Sequence, residues 1–217
     1  LNILVTVYIS SEQSNPDLAI LNYKQSLLEP TKDFLERFGL KIASILILII
    51  ATYRLTDIVM GPMANPFYID MGYSLSEIGY VVKIVALIAT IIGVFIGGIF
   101  VKRLGLYKSL LIGAFLVMFT NLSFSYASIN EKNLVMLASI VASDSLAAGI
   151  VGTVNITFLT SLVSSKYTGF QYALLTSLMA FLGKLFGGFS GVFVESFQNL
   201  YGFSYGWMSF YIFTSCL

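Results

Sequence analysis

The amino-acid sequence predicts an all-α integral membrane fold of six apolar helical runs, and three observations lead there. Hydrophobic residues make up 57% of the 217 residues and charged residues only 11%, whereas a soluble domain carries about 25% charge. Mean hydropathy is +0.87, so the apolar excess faces something other than water. The apolar residues are grouped in runs of about 20, the length a helix needs to cross a hydrocarbon core of about 30 Å. They lack the period-2 alternation that a membrane-spanning barrel requires.

The runs lie at 41–60, 78–100, 109–127, 134–163, 170–194 and 203–217. The fourth exceeds a simple crossing, which predicts strong tilt or a break near Gly149 and Gly152. The last reads as a truncated helix. Residues 1–40 read as the end of an upstream segment followed by a polar cytoplasmic linker, with Glu12, Asp17, Lys24, Glu29, Lys32, Asp33, Glu36 and Arg37. Within it Thr31 is placed to cap a short helix with Phe34, Leu35 and Phe38 on one face, docked at the membrane surface. The 1–9 stretch has no basic flank of a signal peptide. The chain opens on Leu1 and stops at Leu217 inside an apolar run, as a fragment, a split gene product or a processed chain would.

Composition excludes several functions. A net charge of +1 supplies no basic footprint for nucleic acid. With no His and a single Cys216, histidine-ligated metals, Ser–His or Cys–His catalysis and an internal disulfide are out of reach. No nucleophile–base set appears, so neither an enzyme nor a cofactor or metal site is expected.

Lysine and arginine placement sets the expected topology. If the segment before the first run is cytoplasmic, that side holds Lys24, Lys32, Arg37, Lys41, Lys102, Arg103, Lys108 and Lys166. The other side holds Lys132. The connections at 60–77 and 199–202 then face outward. Six helices with both ends inside suit one half of a secondary transporter made of three-helix inverted repeats. Each triplet would carry an acid on its first helix (Asp57, Asp144) and a lysine on its second (Lys83, Lys184).

Two kinds of residue stand out inside the runs. Small residues four apart let helix backbones approach closely: Gly93 and Gly97, Ala148 and Gly152, and Gly183, Gly187 and Gly191. Ionisable residues are the other kind, at about 2.5–3.5 kcal/mol for each Asp, Lys or Arg at a helix centre. Arg54 and Asp57 are one turn apart and can pair, either as a neutral structural plug or as part of a polar pathway. Lys83 is close enough to the end of its run to snorkel. Asp144 and Lys184 are deeper, and Asn155 falls on the face of Asp144, with Thr153, Thr157 and Thr160 adding hydroxyls. A cavity lined by the arginine and both lysines suits an anionic or sugar-like solute. Asp57 and Asp144 are the groups that can exchange a proton.

The loop from Gly98 to Lys108, with Arg103 and Gly105, resembles the basic loop motif of the major facilitator superfamily, although Lys102 replaces the usual acid. More specifically, Tyr53 to Asp57, Gly79 to Gly93 with Lys83, Tyr167 to Leu178 with Gln171, Gly183–Lys184 and Gly191 to Glu195 are similar to the AmpG-type muropeptide permeases. Near Asp144 to Gly149 the sequence departs from them. The resemblance implies a multi-pass carrier of the bacterial inner membrane that takes up anhydro-muropeptides with protons during peptidoglycan recycling. It implies that this chain is the C-terminal half, with Gln171 among the pathway residues and a missing N-terminal half as partner. Two other readings stay open: a half that inserts but does not transport alone, and a carrier of another solute such as an acyl-CoA.

Overall fold

Lipid leaves no water to satisfy backbone groups, so each run must close its hydrogen bonds within itself as a helix. The computed structural model describes residues 23–217, with side chains from Leu28 onward; the 1–9 stretch and the acids Glu12 and Asp17 lie outside the described residues. In order come α1 (Tyr23–Thr52), α2 (Leu55–Asp70), α3 (Leu75–Tyr80), a π-helical turn (Val81–Val85), α4 (Ala86–Leu104) and α5 (Leu106–Ala127). These are followed by α6 (Leu134–Leu162), α7 (Thr168–Gly187), α8 (Ser190–Tyr201) and α9 (Phe203–Ser215). Among the described residues five helical stretches are long and apolar enough to cross a membrane: Leu28–Asp70, Leu75–Leu104, Leu106–Ala127, Leu134–Leu162 and Thr168–Tyr201. The chain is a multi-pass helical membrane protein.

Several boundaries differ from the sequence expectation, each for a local reason. The helix expected to stop at 60 continues as α2 to Asp70 through Pro62 and Pro66, so the 60–77 segment is largely helix rather than loop. Both prolines lie within an already started helix, where neighbouring helices make up for the lost donors. The fourth run is one unbroken helix: Gly149 is used for close approach to a neighbour, not for a bend. The fifth run breaks at Gly188–Phe189 and α8 then runs on to Tyr201. Thr31 lies inside α1 rather than capping it, because that helix begins at Tyr23.

Three glycines turn the chain with nearly the same backbone. Gly39 (φ 71°, ψ 156°) separates the amphipathic start of α1 from its spanning part. Gly105 (φ 82°, ψ 163°) and Gly202 (φ 84°, ψ 171°) are one-residue connectors, between α4 and α5 and between α8 and α9. At both connectors the glycine amide donates to the carbonyl four residues back, Val101 at 3.2 Å and Gln198 at 2.9 Å. Its carbonyl accepts from the amide four residues on, Ser109 at 3.2 Å and Gly206 at 2.7 Å. Only glycine takes this positive φ without strain. The two connectors fall at matching places in the two triplets.

Packing crosses between the triplets. α4 lies along α6, and α7 lies along α2. A Cβ on Gly93 would overlap the Leu146 carbonyl oxygen, and one on Gly97 would sit 2.9 Å from that of Ile150. Gly149 returns the contact, since a Cβ there would overlap the Thr90 carbonyl oxygen. On the other side, a Cβ on Gly183 would overlap the Ile58 side chain and one on Gly187 would be 2.9 Å from the Ile58 carbonyl oxygen. Gly152 and Gly98 face open space, and Gly191 meets only Met63 Cε, 3.9 Å from an added Cβ. The seam on α6 therefore uses Leu146, Gly149 and Ile150 in place of the expected Ala148–Gly152. The break at Gly188–Phe189 takes Gly191 off the Gly183–Gly187 face.

The two ends of the bundle have separate cores. At the basic end Phe34, Ala43, Ile50, Phe158, Leu162 and Leu175 pack together. At the other end Phe67, Tyr68, Phe124, Trp207, Phe210 and Tyr211 form an aromatic core, in which Tyr211 stacks on Phe124 with centroids 5.1 Å apart. If the glycine seams hold the helices together, Gly93→Ala is expected to lower the thermal unfolding midpoint of the detergent-solubilised protein, by the about 1–3 kcal/mol typical of overpacking. Gly98→Ala, facing open space, is expected to leave it unchanged, and intrinsic Trp207 fluorescence would report both.

Candidate solute and proton site

α2 and α6 carry three of the five intramembrane charges, Arg54 and Asp57 as a pair and Asp144 within electrostatic range of Asp57. α1 ends at Thr52 and α2 starts at Leu55, so the spanning helix is interrupted at Tyr53–Arg54. By helical rise this is about 24 Å from the Asp70 end of α2, well inside the hydrocarbon. Arg54 occupies the N-cap position, with no side-chain cap hydrogen bond. The first amides of a helix have no acceptor in their own turn, and their partial positive charge favours the acid Asp57 in the first turn. Arg54 Nη2 donates to Asp57 Oδ2 at 3.4 Å, with the two side chains 32% and 21% exposed. Arg54 Nε is buried without a partner among the described residues.

Asp144 of α6 faces this pair closely enough for the two carboxyls to interact electrostatically. The Thr120 side chain of α5 is within hydrogen-bonding reach of Asp144, while its hydroxyl also lies 3.0 Å from the Val117 carbonyl. Tyr68 and Tyr211 feel the charge of Asp144 as well, and the Tyr211 hydroxyl is buried and unpartnered. Tyr53 ties the interruption to α5, donating to the Leu110 carbonyl at 3.1 Å. The site is thus Arg54, Asp57, Thr120 and Asp144, edged by the two phenols. Sequence reading missed Thr120, although a threonine beside an asparagine in an apolar run was a legible signal. Tyr68 and Tyr211 gave none, being aromatic residues near helix ends like many others here.

The remaining expected residues lie elsewhere. Lys83, in the π-helical turn, and Lys184 are both exposed, and neither forms an ion pair within 4.0 Å among the described residues. Neither joins Arg54 in an enclosed cavity of this bundle, because each projects from a helix face that no neighbour covers. Asn155 is buried but turns to α7, its amide 3.4 Å from Met179 Sδ. Arg103 is exposed in the last turn of α4, beside the Gly105 turn, where a cation favours the helix C-terminus.

Gln171 sits at the basic end, in a closed polar network rather than with the acids. Its Oε1 accepts from Arg37 Nη2 at 3.0 Å and the Ser164 amide at 2.7 Å. Its Nε2 donates to the Pro30 carbonyl at 2.8 Å and Asp33 Oδ2 at 2.9 Å. Arg37 Nε also pairs with Asp33 at 3.0 Å, and its guanidinium lies 5.1 Å from the Phe38 ring centroid. Tyr167 reaches Glu29 at 3.1 Å. Lys166 is held above its ordinary pKa, first by the Tyr167 side chain and less by Glu29 and Asp33. Together these contacts fasten the start of α1 to the loop before α7.

Curated relatives share most of this chain. It is 29% identical over 200 residues to the transporter AmpG 4 of Rickettsia conorii, covering 92% of this chain and 46% of that protein. It is 34% identical over 174 residues to the transporter AmpG 1 of Rickettsia prowazekii, covering 80% and 38%. Against the anhydromuropeptide permease of Escherichia coli K12 it is 32% identical over 193 residues, covering 88% and 37%. Over most of its length the chain is similar to the AmpG-type permeases. It spans less than half the length of these three AmpG-type relatives. No protein-family model matches it.

The Gln171 network makes a checkable demand. Gln171→Leu is expected to speed amide hydrogen exchange across residues 28–38 and at Ser164. The change leaves buried polar groups unpaired, at about 1–3 kcal/mol, so exchange at those amides should rise at least about fivefold.

Proposed function

We propose that this chain is the C-terminal six-helix half of a proton-coupled importer of anhydro-muropeptides in the bacterial inner membrane. One observation carries the reading: Arg54 and Asp57 pair at an interrupted spanning helix, with Asp144 within electrostatic range. Ionisable residues at membrane depth are costly and mark solute and proton paths. A broken helix near the midplane is the usual way transporters expose backbone and charge to a solute. The names of the relatives supply the solute class.

In this reading residues 1–40 are the linker on the cytoplasmic face and 41–217 the bundle, with the basic end inward. Arg54 holds an acidic group of the solute, and Asp57 and Asp144 exchange the proton. Asp57 and Asp144 are partly exposed, and in this reading their exposed sides open on a water-filled path. The chain acts as a carrier and not an enzyme. Its partners are the bilayer, the solute, protons and an N-terminal bundle.

A second reading, a half that needs its counterpart to move solute, draws on the coverage of the relatives and on Lys83 and Lys184. Both lysines project from uncovered faces, as they would if a second bundle closed the site across α4 and α7.

Uptake of labelled anhydro-N-acetylmuramyl tripeptide into vesicles decides between these readings. Accumulation is expected when the chain is joined by an N-terminal half, and it should collapse when a protonophore removes the gradient. Accumulation by the chain alone would remove the second reading, and none in either form, from well-inserted protein, would remove the importer reading. Asp144→Asn removes a proton site with little change in volume, so it should bind tripeptide but drop the accumulation ratio to about one. Wild-type accumulation by that variant would show that Asp144 is structural.

A further inference from the structure

We propose that Asp57 is the internal stand-in for a carboxylate of the solute, and that exchange of one for the other on Arg54 is the step that takes up the proton. This rests on the importer reading above and assigns the order of events at its site.

The Arg54–Asp57 contact has the features of an exchangeable pair. It is a single hydrogen bond at 3.4 Å, long for a charge-assisted bond and lacking the second parallel bond of a forked pair. Arg54 has five N–H donors, and its Nε has no partner. The two side chains are 32% and 21% exposed, so a solute can reach them without unpacking the bundle. A residue three positions away on the same turn is tethered beside Arg54, and an incoming carboxylate competes with it directly. The interruption also starts α2 at this point with no side-chain cap.

Displacement changes what Asp57 faces. Its own stretch then offers only Tyr53, whose hydroxyl is engaged with Leu110. α6 presents Asp144, and α5 presents Thr120, which serves Asp144. From α7 the neighbours of Ile58 are Gly183 and Gly187, and Lys184 beside them is exposed. α9 brings the Tyr211 hydroxyl, without a partner among the described residues, into range of Asp144. Among the described residues Arg54 is the cation paired with Asp57, and Asp144 is a second acid within electrostatic range of it. Two carboxylates sharing a site of low dielectric do not both stay ionised.

The balance is simple. Before binding, Arg54 is positive, Asp57 negative and Asp144 holds a proton, so the site is neutral. The solute carboxylate takes the guanidinium, Asp57 accepts one proton from water and becomes a neutral carboxylic acid, and the site is neutral again. No covalent bond to carbon is made or broken. Asp144 then releases its proton on the other face and takes the one on Asp57, which restores the Asp57–Arg54 pair and expels the solute.

The test measures protons taken up per ligand bound. The chain in lipid nanodiscs is titrated with anhydro-N-acetylmuramyl tripeptide in two buffers of different ionisation enthalpy, alongside the same ligand with every carboxyl amidated. The wild-type protein is expected to take up about one proton per tripeptide and none with the amidated form. Asp57→Asn should bind tripeptide at least as well with no uptake. Arg54→Gln should lose about tenfold in affinity for the acid form and less than about twofold for the amide, and Arg54→Lys should restore the preference. Tripeptide binding with no proton uptake by the wild type overturns the inference and leaves the importer reading intact. Undiminished uptake by Asp57→Asn overturns it too and moves the proton to Asp144. Absence of binding by any folded form overturns both.

Discussion

Close contact between helix backbones at Gly93 and Gly149 is the constraint on which the rest of the bundle depends. Lipid tails are as apolar as leucine, so helices in a membrane gain nothing by hiding apolar surface from them, and association depends on van der Waals fit. A glycine meeting a carbonyl oxygen gives that fit at the shortest range available. Gly93 and Gly97 bring α4 onto α6 at Leu146 and Ile150, and Gly183 and Gly187 bring α7 onto Ile58 of α2. Each triplet lends its second helix to the first helix of the other. Ile58 follows Asp57, and Leu146 lies two residues beyond Asp144. The seams therefore bear on the two segments that carry acids, and they set where those acids sit relative to one another.

Charge inside the membrane follows from that placement. Arg54 and Asp57 neutralise each other over one turn, which lowers the cost of holding either in hydrocarbon. The pair is loose: one contact at 3.4 Å joins Arg54 Nη2 to Asp57 Oδ2. Asp144 has no cation of its own at bonding distance among the described residues and leans on Thr120. An arrangement with one cation and two acids is neutral only when one acid holds a proton. That is a structural reason for the site to respond to protons.

Polar networks close the bundle at both ends. At the basic end Gln171 fills its hydrogen-bonding capacity with Pro30, Asp33, Arg37 and Ser164. At the aromatic end Tyr73 donates to the Asn133 carbonyl at 2.9 Å, and Asn133 in turn caps α6. Lys132 reaches Glu77 at 2.8 Å, and Trp207 reaches Asp70 at 3.0 Å. The contacts of Gln171 with Pro30, Asp33 and Arg37, of Tyr73 with Asn133, of Lys132 with Glu77 and of Trp207 with Asp70 join parts of the chain distant in sequence. Fastening at the ends with loosely paired charge between them suits a protein whose interior must rearrange while its helices stay in register.

The sequence by itself determined the membrane, the helices and the identity of the costly residues. Those follow from apolar run length, from helical periodicity and from the absence of charge to cover a wet surface, all local properties. It also showed the glycines that turn and the glycines that pack, though not which were which: Gly105 and Gly202 adopt positive φ, Gly93 and Gly183 meet a neighbour, and Gly98 and Gly152 meet nothing. Only the tertiary structure decided which charges meet. Arg54, Asp57 and Asp144 converge while Lys83 and Lys184 stay on open faces, and Gln171 belongs to the basic end. The reason is rotational: one residue of shift turns a helical side chain by about 100°. Breaks at Tyr53–Arg54 and Gly188–Phe189, together with a π turn at Val81–Val85, reset that rotation in ways no apolar run length reveals.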